Sequence, residues 1–154
     1  MRRKGENCIT LKSGHKLFYK GNEEQKLGGV GILINKTEAV NITQYHHAIS
    51  ERVIAIDIKI NKRYTCKIIQ VYAPTTGHKE EEIETFYEHI NEALNKNKTK
   101  YTIIMGDFNA KVGKQEDPNE QGIGPFGLGT RNSRGNRLVD YISEKKPLSN
   151  EYIL

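Results

Sequence analysis

The stretch YTIIMGDFNAKVG, residues 101–113, combines an apolar run with polar groups at its end. The apolar run stops at Gly106 and is followed at once by Asp107 and Asn109. A carboxylate and a carboxamide two residues apart are typical of a simple turn, but they also suit the floor of an active site. The segments around this stretch decide between the two interpretations.

The preceding residues predict a helix between two strands. Residues 64–72, YTCKIIQVY, carry apolar side chains on both faces, as expected of an interior strand. The next segment places apolar residues at helical spacing, namely Ile83, Phe86, Tyr87, Ile90, Ala93 and Leu94. Three acidic residues at 80–82 favour a helix start there. A crossover of this length predicts that strands 64–72 and 101–106 are parallel, with a right-handed connection.

Parallel neighbouring strands place their carboxyl ends at one edge of the sheet, where open α/β sheets bind ligands. Tyr72 ends the first strand and Asp107 follows the second, so we expect Tyr72, Asp107 and Asn109 to lie together. A phenol and a carboxamide can hydrogen-bond a phosphate oxygen, and a carboxylate can orient and deprotonate a water. The set suits phosphodiester hydrolysis with a divalent cation. The alternative is a turn-forming Asp and Asn beside a half-buried packing Tyr.

Two further β signals precede these strands. In residues 52–64, RVIAIDIKINKRY, isoleucines at 54, 56, 58 and 60 alternate on one face, and Asn61-Lys62 can form a two-residue hairpin turn. A strand is predicted from about Val30 to Asn35. Gly28, Gly29 and Gly31 lack the spacing of a phosphate cradle, so we interpret them as a bulge or tight strand entry.

Length, charge and composition limit the classes of protein to which the chain can belong. A length of 154 residues corresponds to a single domain, or to part of one. A net charge of +5 fits a polyanionic partner, although the charges are dispersed over several polar segments. No apolar run predicts a membrane span, and Cys8 and Cys66 are too few for a disulfide framework. We therefore expect free thiols, an intracellular location and no membrane partner.

The sequence VYAP at residues 71–74, the charged helix, MGDFN at 105–109 and GLGTRNSRGNRLVDYISEKK at 127–146 together resemble the endonuclease/exonuclease/phosphatase superfamily. More narrowly, the chain is similar to the apurinic-type endonuclease domain of non-LTR retrotransposons. The resemblance covers nearly all of the chain, so we expect residues 1–154 to form one partial domain of this kind. It implies an α/β fold, a two-sheet DNase I-like sandwich, that is incomplete at both ends.

The resemblance also implies an activity and roles for individual residues. Such a domain is a Mg²⁺-dependent phosphodiesterase that cuts one DNA strand to prime reverse transcription. Tyr72 would contact the scissile phosphate, Asp107 would position or activate the water, and Asn109 would hold the phosphate or the nucleophile. Arg131, Asn132 and Arg134, in TRNSRG, are candidates for phosphate contact, while a helix-entry role suits Asn132 or Ser133 better.

Departures from the family leave the activity open. The metal-binding Glu of the family would precede residue 1, and Glu6 does not match its context. The catalytic Asp-His pair has no counterpart, and the tail SNEYIL, residues 149–154, resembles a strand that precedes this pair in the family, with Glu151 where an Asp could stand. We assign no metal ligand and do not expect this chain alone to hold Mg²⁺.

Two functions remain. The first is a piece of a nuclear, DNA-cutting endonuclease, weakly active or inactive alone, which a longer product could join to a reverse transcriptase domain. The second is a non-catalytic, element-derived remnant that binds nucleic acid or has no function. Neither composition nor spacing decides whether the chain is an enzyme.

Overall fold

The computed structural model describes residues 3–24, 28–75, 77–120, 122–145 and 151–153, and for His46, His47 and residues 151–153 it describes the backbone alone. Within these ranges the chain forms strands Glu6–Thr10 (β1), Lys16–Lys20 (β2), Val30–Ile34 (β3), Ile42–Ser50 (β4), Val53–Lys59 (β5), Thr65–Tyr72 (β6), Tyr101–Asp107 (β7) and Glu151–Ile153 (β8). The α-helices are Glu80–Asn95 (α1) and Ser133–Lys145 (α2), and Ala39–Asn41 form a 3-10 turn.

The strands form two sheets that pack face to face. The smaller sheet is antiparallel with the order β1-β2-β3, and the larger has the order β4-β5-β6-β7-β8. One cluster of buried side chains fills the space between them, and its members are Phe18, Val30, Ile32, Ile34, Ala39, Ile54 and Ile56. This is the expected α/β sandwich, consistent with a DNase I-like fold.

Strands β6 and β7 are neighbours in the larger sheet. At their beginnings the rings of Tyr64 and Tyr101 meet edge to face, with centroids 5.9 Å apart. At their other ends Gly106 lies against Val71, so closely that a Cβ on Gly106 would come within 2.0 Å of the Val71 carbonyl oxygen. The two strands therefore begin at the same edge of the sheet and end at the same edge, so they run parallel. This confirms the predicted strand–helix–strand unit.

Helix α1 covers the outer face of the larger sheet, where it contacts β4 and β5. Ile83, Phe86 and Ile90 are buried as predicted, whereas Leu94 is half-buried and Tyr87 and Ala93 complete the apolar face. The helix ends on a buried lysine of β6: the Lys67 ammonium donates to the carbonyl oxygens of Ala93 at 2.8 Å, Leu94 at 3.2 Å and Asn97 at 2.6 Å. These bonds satisfy carbonyls that a helix end otherwise leaves unpaired.

The β5–β6 hairpin forms, but its turn differs from the prediction. The loop is longer than Asn61-Lys62, because the Ile60 amide bonds the Tyr64 carbonyl and the Asn61 side chain accepts the amides of Arg63 at 2.8 Å and Tyr64 at 3.0 Å. The predicted isoleucine face is right for Ile54 and Ile56, which are fully buried. It fails at Ile60, which lies beyond the strand and is 56% exposed.

The glycines before β3 form the tight strand entry that the sequence predicts. Gly28 and Gly29 both have positive φ, and a Cβ on Gly29 would lie 2.7 Å from the Lys20 carbonyl oxygen.

The tail contributes the short strand β8, which pairs in parallel with β7. Cys8 and Cys66 are free thiols, as predicted. Among the described residues, no helix combines the length and apolar character that a bilayer crossing requires.

The chain divides into two compact units. The first contains Met1–Gly106 and Asn150–Leu154, and the second contains Asp107–Ser149. Tyr72 therefore belongs to the first unit, whereas Asp107 and Asn109 belong to the second. That residues 1–154 act as a single domain stays a prediction.

Candidate active site

A cavity of about 350 Å³ in the first unit lies at the carboxyl end of β6. It is lined by Asn22, Gly28, Gly29, Glu51, Arg52, Tyr72, Thr75 and His78. Tyr72 ends β6, and the other residues come from the loops that precede β3 and β5 and from the connection between β6 and α1. A volume of this size is at the lower end of that of small-molecule sites.

The local sequence fixes the position of Tyr72 at this cavity. Its ring is half-buried against the core between the sheets, and its amide donates to the Arg52 carbonyl at 2.9 Å. Pro74 then ends the strand, because proline has no amide to give to a neighbouring strand. The packing interpretation of Tyr72 is therefore correct for its ring, and the residue also lines the cavity.

Some polar side chains of the cavity have a hydrogen-bond partner among the described residues, and Arg52 does not. Asn22 donates its amide to the Glu51 carboxylate at 2.8 Å, and His78 Nδ1 lies 2.8 Å from a carboxylate oxygen of Glu82. Arg52 is half-buried, and within the part of the chain that the structure describes its guanidinium has no hydrogen-bonded or ionic partner. The same side chain also lines a second cavity of about 270 Å³ beside α1.

In the second unit Asp107 and Asn109 form one tight turn. The Asn109 amide donates to Oδ1 of Asp107 at 2.8 Å, and Asn109 has a φ of +48°, in the left-handed region that asparagine tolerates better than most residues. The turn-forming interpretation of these residues is thus correct. It leaves the Asp107 side chain exposed, so this carboxylate is available to an external group. That Tyr72 joins this pair at a common site stays a prediction.

Arg131 and Asn132 organise the loop before α2. Arg131 makes a two-pronged ion pair with Glu120, at 2.5 and 2.7 Å, and donates to the Val112 and Lys114 carbonyls. The pairing lowers the Glu120 pKa to about 2, and the same hydrogen bond raises the pKa of Arg131. The Arg131 side chain is 5% exposed, so its donors serve the loop itself.

Asn132 has the helix-entry role that the sequence favours. Its side-chain oxygen accepts the amide of Gly135, in the first turn of α2, at 2.8 Å and that of Lys111 at 3.1 Å. Arg134 is half-buried within the first turn of α2. Phosphate contact by Arg131, Asn132 or Arg134 stays a prediction.

Glu6 has structural partners. Its carboxylate accepts the Tyr45 hydroxyl at 2.7 Å and the Ala48 amide at 3.1 Å, and so ties β1 to β4. Burial and this carboxylate raise the Tyr45 pKa well above its ordinary value. That Glu6 is not the metal-binding Glu of the family stays a prediction. More generally, no three His, Cys, Asp or Glu side chains among the described residues are grouped so that they could hold a metal ion.

Comparison with known proteins identifies the family. A family model described as endonuclease-reverse transcriptase matches residues 66–151, which include Tyr72, Asp107 and Asn109. The chain belongs to this endonuclease/exonuclease/phosphatase-like family. It is also 36% identical over 134 residues to craniofacial development protein 2 of Tragulus javanicus and to that of Bos taurus. The alignment covers 86% of this chain and 22% of each relative, so the chain spans about a fifth of their length.

Sequence analysis missed Asn22, Glu51 and Arg52 as lining residues of the cavity, and likewise Thr75 and His78 in the β6–α1 connection. Glu51 and Arg52 sit between two strands, where charged residues are ordinary loop residues, and Asn22 lies in a polar loop. Asn22, Glu51 and Arg52 come to the end of β6 through sheet pairing and through contacts between residues far apart in the chain. No periodicity or spacing in the sequence signals such a meeting.

Proposed function

We propose that the chain is part of a metal-dependent DNA endonuclease domain of retrotransposon origin, with little or no activity on its own. The observation that carries this proposal is the family match, which includes both Tyr72 at its cavity and the exposed Asp107 in its turn. A phenol at a cavity and an accessible carboxylate are groups that phosphodiester hydrolysis can use.

The residues take separate parts in this chemistry. The Tyr72 hydroxyl donates a hydrogen bond to a phosphate oxygen, which orients the scissile group. Asp107 accepts a proton from a water and aligns that water for in-line attack. Asn109 holds the phosphate or the water through its carboxamide. The backbone amide of Asn109 separately holds the Asp107 carboxylate in place.

The donor set does not fit a complete metal site. Mg²⁺ prefers six oxygen ligands and is held in such enzymes by one or two carboxylates together with substrate and water. Asp107 and Asn109 supply one carboxylate and one carboxamide, and Glu6 is occupied by Tyr45 and Ala48. We assign the metal requirement to the intact family domain. None of the roles proposed for Tyr72, Asp107 and Asn109 depends on an ion bound by this chain.

DNA is the proposed partner, since a net charge of +5 favours a polyanion and the family name refers to nucleic-acid enzymes. Arg134, at the start of α2, is a candidate phosphate contact. A nuclear location and a reverse transcriptase domain in a longer product follow from the same proposal.

A nicking assay tests the catalytic part. We expect the purified 154-residue chain to nick supercoiled plasmid or abasic-site DNA, in Mg²⁺ or Mn²⁺, no faster than its Asp107→Ala variant does. Metal-dependent nicking that disappears in Asp107→Ala would overturn the proposed incompetence, and would mean that another carboxylate, such as Glu151, completes the site.

The second candidate function is binding without catalysis, and the incomplete set of carboxylates favours it. A longer protein that contains this chain together with its flanking sequence would distinguish the two candidates. Metal-dependent nicking by that product, lost on Asp107→Ala, supports the endonuclease. DNA binding without nicking supports the non-catalytic protein, and absence of both supports a remnant.

A further inference from the structure

Two basic loops meet at the edge of the larger sheet where β6 and β7 begin. The first, residues 59–64, leads from β5 into β6, and the second, residues 98–101, leads from α1 into β7. The rings of Tyr64 and Tyr101 join the two loops, with centroids 5.9 Å apart. We call residues 59–64 and 98–101 the basic edge. It lies at the opposite end of β6 from Tyr72 and its cavity, so it is a separate surface of the first unit.

The basic edge carries uncompensated positive charge. Neither loop contains an aspartate or a glutamate, and their five exposed cations form no ion pair within the described part of the chain. These cations are Lys59, Lys62, Arg63, Lys98 and Lys100. The acidic residues that precede the loops are engaged elsewhere, since Asp57 is buried against Asn97 and Glu92 pairs with Lys96 at 3.2 Å. Like charges that lie close together repel one another, so an anionic partner is favoured here.

An apolar centre lies among these cations, and water cannot satisfy it as it satisfies an exposed lysine. Ile60 is 56% exposed and Tyr64 is 38% exposed. The two residues face each other at the neck of the hairpin loop, where the Ile60 amide donates to the Tyr64 carbonyl at 2.9 Å. An apolar centre inside a charged rim is the usual anatomy of a protein–protein interface. The basic edge therefore fits a partner that is both acidic and apolar.

Local hydrogen bonds hold the basic edge in its shape. The Asn61 side chain accepts the amides of Arg63 and Tyr64, which closes the hairpin loop. The chain before the second loop is held by Lys67, whose ammonium donates to the Asn97 carbonyl at 2.6 Å. A partner therefore binds without the entropy loss of ordering these loops.

The aromatic pair favours a peptide over a nucleic acid as this partner. Bases bind proteins by stacking on free aromatic faces. The Lys100 ammonium lies over the Tyr101 ring, 6.0 Å from its centroid, and the Tyr64 ring meets Tyr101 edge to face. Four of the five cations are lysines, whereas arginine has the geometry that matches a phosphate. A sugar–phosphate backbone also offers no apolar side chain to cover Ile60.

We propose that the basic edge binds an acidic peptide segment of a partner protein. A large apolar side chain of that segment packs on Ile60 and Tyr64, and its carboxylates pair with the surrounding lysines. The interaction is independent of the chemistry proposed for Tyr72, Asp107 and Asn109. The sequence shows only dispersed charges, because it is the pairing of strands that brings the two loops together.

Fluorescence anisotropy of the whole chain with three labelled probes of equal charge tests this proposal. The first probe is a short peptide of Asp and Glu with Leu-Phe at its centre, and the second has Ser-Ser in place of Leu-Phe. The third is an oligothymidylate. We expect the Leu-Phe peptide to bind about fivefold more tightly than the Ser-Ser peptide, because only the former buries apolar surface on the basic edge.

Two double variants test the contribution of charge. Lys98→Gln/Lys100→Gln should weaken binding of both peptides about threefold, because two ion pairs are lost. It should leave the binding of oligothymidylate unchanged. Lys111→Gln/Lys114→Gln removes the same charge from exposed positions of the second unit, and it should leave the Kd of both peptides unchanged.

Two single variants test the apolar centre. Ile60→Ser should remove the preference for the Leu-Phe peptide while leaving the Kd of the Ser-Ser peptide unchanged. Leu33→Ser changes a residue of β3 that is 58% exposed, almost as exposed as Ile60, and should keep the preference. If Ile60→Ser does not fold, Ile60→Ala carries the comparison and should reduce the preference.

Several outcomes would overturn the proposal. They include equal affinity for the two peptides, no binding of either peptide, and equal weakening by the two double variants. A loss of oligothymidylate binding in Lys98→Gln/Lys100→Gln that exceeds the loss of peptide binding would assign the basic edge to nucleic acid instead. Self-association of the chain that disappears in the same variant would assign the basic edge to a second copy of the chain.

Discussion

Gly106 is the residue at which the end of β7 meets β6. It has a φ of +141°, and a Cβ added there would lie 2.0 Å from the Val71 carbonyl oxygen and 2.9 Å from the Gln70 side chain. Glycine is therefore required by both conformation and space. The G of the MGDFN sequence is explained by strand packing, one residue before the exposed Asp107.

Gly106→Ala should destabilise the chain by at least about 2 kcal/mol, because it adds backbone strain to a collision with a neighbouring strand. Gly77→Ala is the matched control, since nothing lies within 4 Å of the added Cβ and the residue has no positive φ. We expect it to change stability by less than about 0.5 kcal/mol. Urea unfolding measures both variants, and equal effects would show that the β6–β7 contact is looser than described.

At the scale of elements, Lys67 connects the larger sheet to the end of α1. Burial lowers the pKa of this lysine, so its charge costs free energy that the bonds to three helix-end carbonyls and the charge of Asp57 partly offset. Asp57 lies directly opposite Lys67 on β5 and accepts a bond from Asn97 at 3.2 Å. The sheet and the helix end thus share one buried polar network.

Lys67→Met keeps the volume of the side chain and removes its charge and donors. We expect a loss of about 3 kcal/mol in the free energy of unfolding, because buried carbonyls and the Asp57 carboxylate lose a partner. Lys62→Met removes an exposed lysine of the same hairpin and should cost less than about 0.5 kcal/mol. If both variants have equal stability, the network contributes nothing net.

The stability that the Glu120–Arg131 pair gives the second unit depends on pH, and the Glu120 pKa fixes the direction of that dependence. Pairing with Arg131 lowers the Glu120 pKa from 4.5 to about 2, so the folded state binds this proton more weakly than the unfolded state. The resulting stabilisation is fully present above about pH 4.5 and is lost as the pH falls toward 2.

Glu120→Gln should remove this component, so its stability should fall less steeply than that of the wild type between pH 4.5 and 2. Hydrogen exchange at the Lys111 and Gly135 amides, which bond Asn132 beside Arg131, reports on the loop directly. Glu144→Gln changes an exposed carboxylate of α2 and should follow the wild type. Parallel wild-type and Glu120→Gln curves in this pH window would contradict the assignment.

At the scale of the whole molecule, the sequence predicted what depends on local periodicity. Apolar spacing located α1, and apolar residues on both faces marked β6 as an interior strand. It could not predict the burial of Lys67 or the pairing of Arg131 with Glu120, because each depends on contacts between residues distant in the chain. The Asp107–Asn109 turn was correctly proposed because its hydrogen bond is local. The environment of Arg52 was missed because its neighbours come from three loops.

The dispersed positive charge of the chain leads to the last prediction. If DNA is held through its phosphates, the logarithm of the binding constant should fall linearly with the logarithm of salt concentration, with little preference for sequence. Each contact contributes about 0.9 to the slope. Arg134→Gln should therefore reduce the slope by about one if Arg134 touches a phosphate, whereas Lys62→Gln, in the hairpin loop, should leave it unchanged. Fluorescence anisotropy with two unrelated duplexes measures both, and binding that is insensitive to salt would exclude a phosphate-based interface.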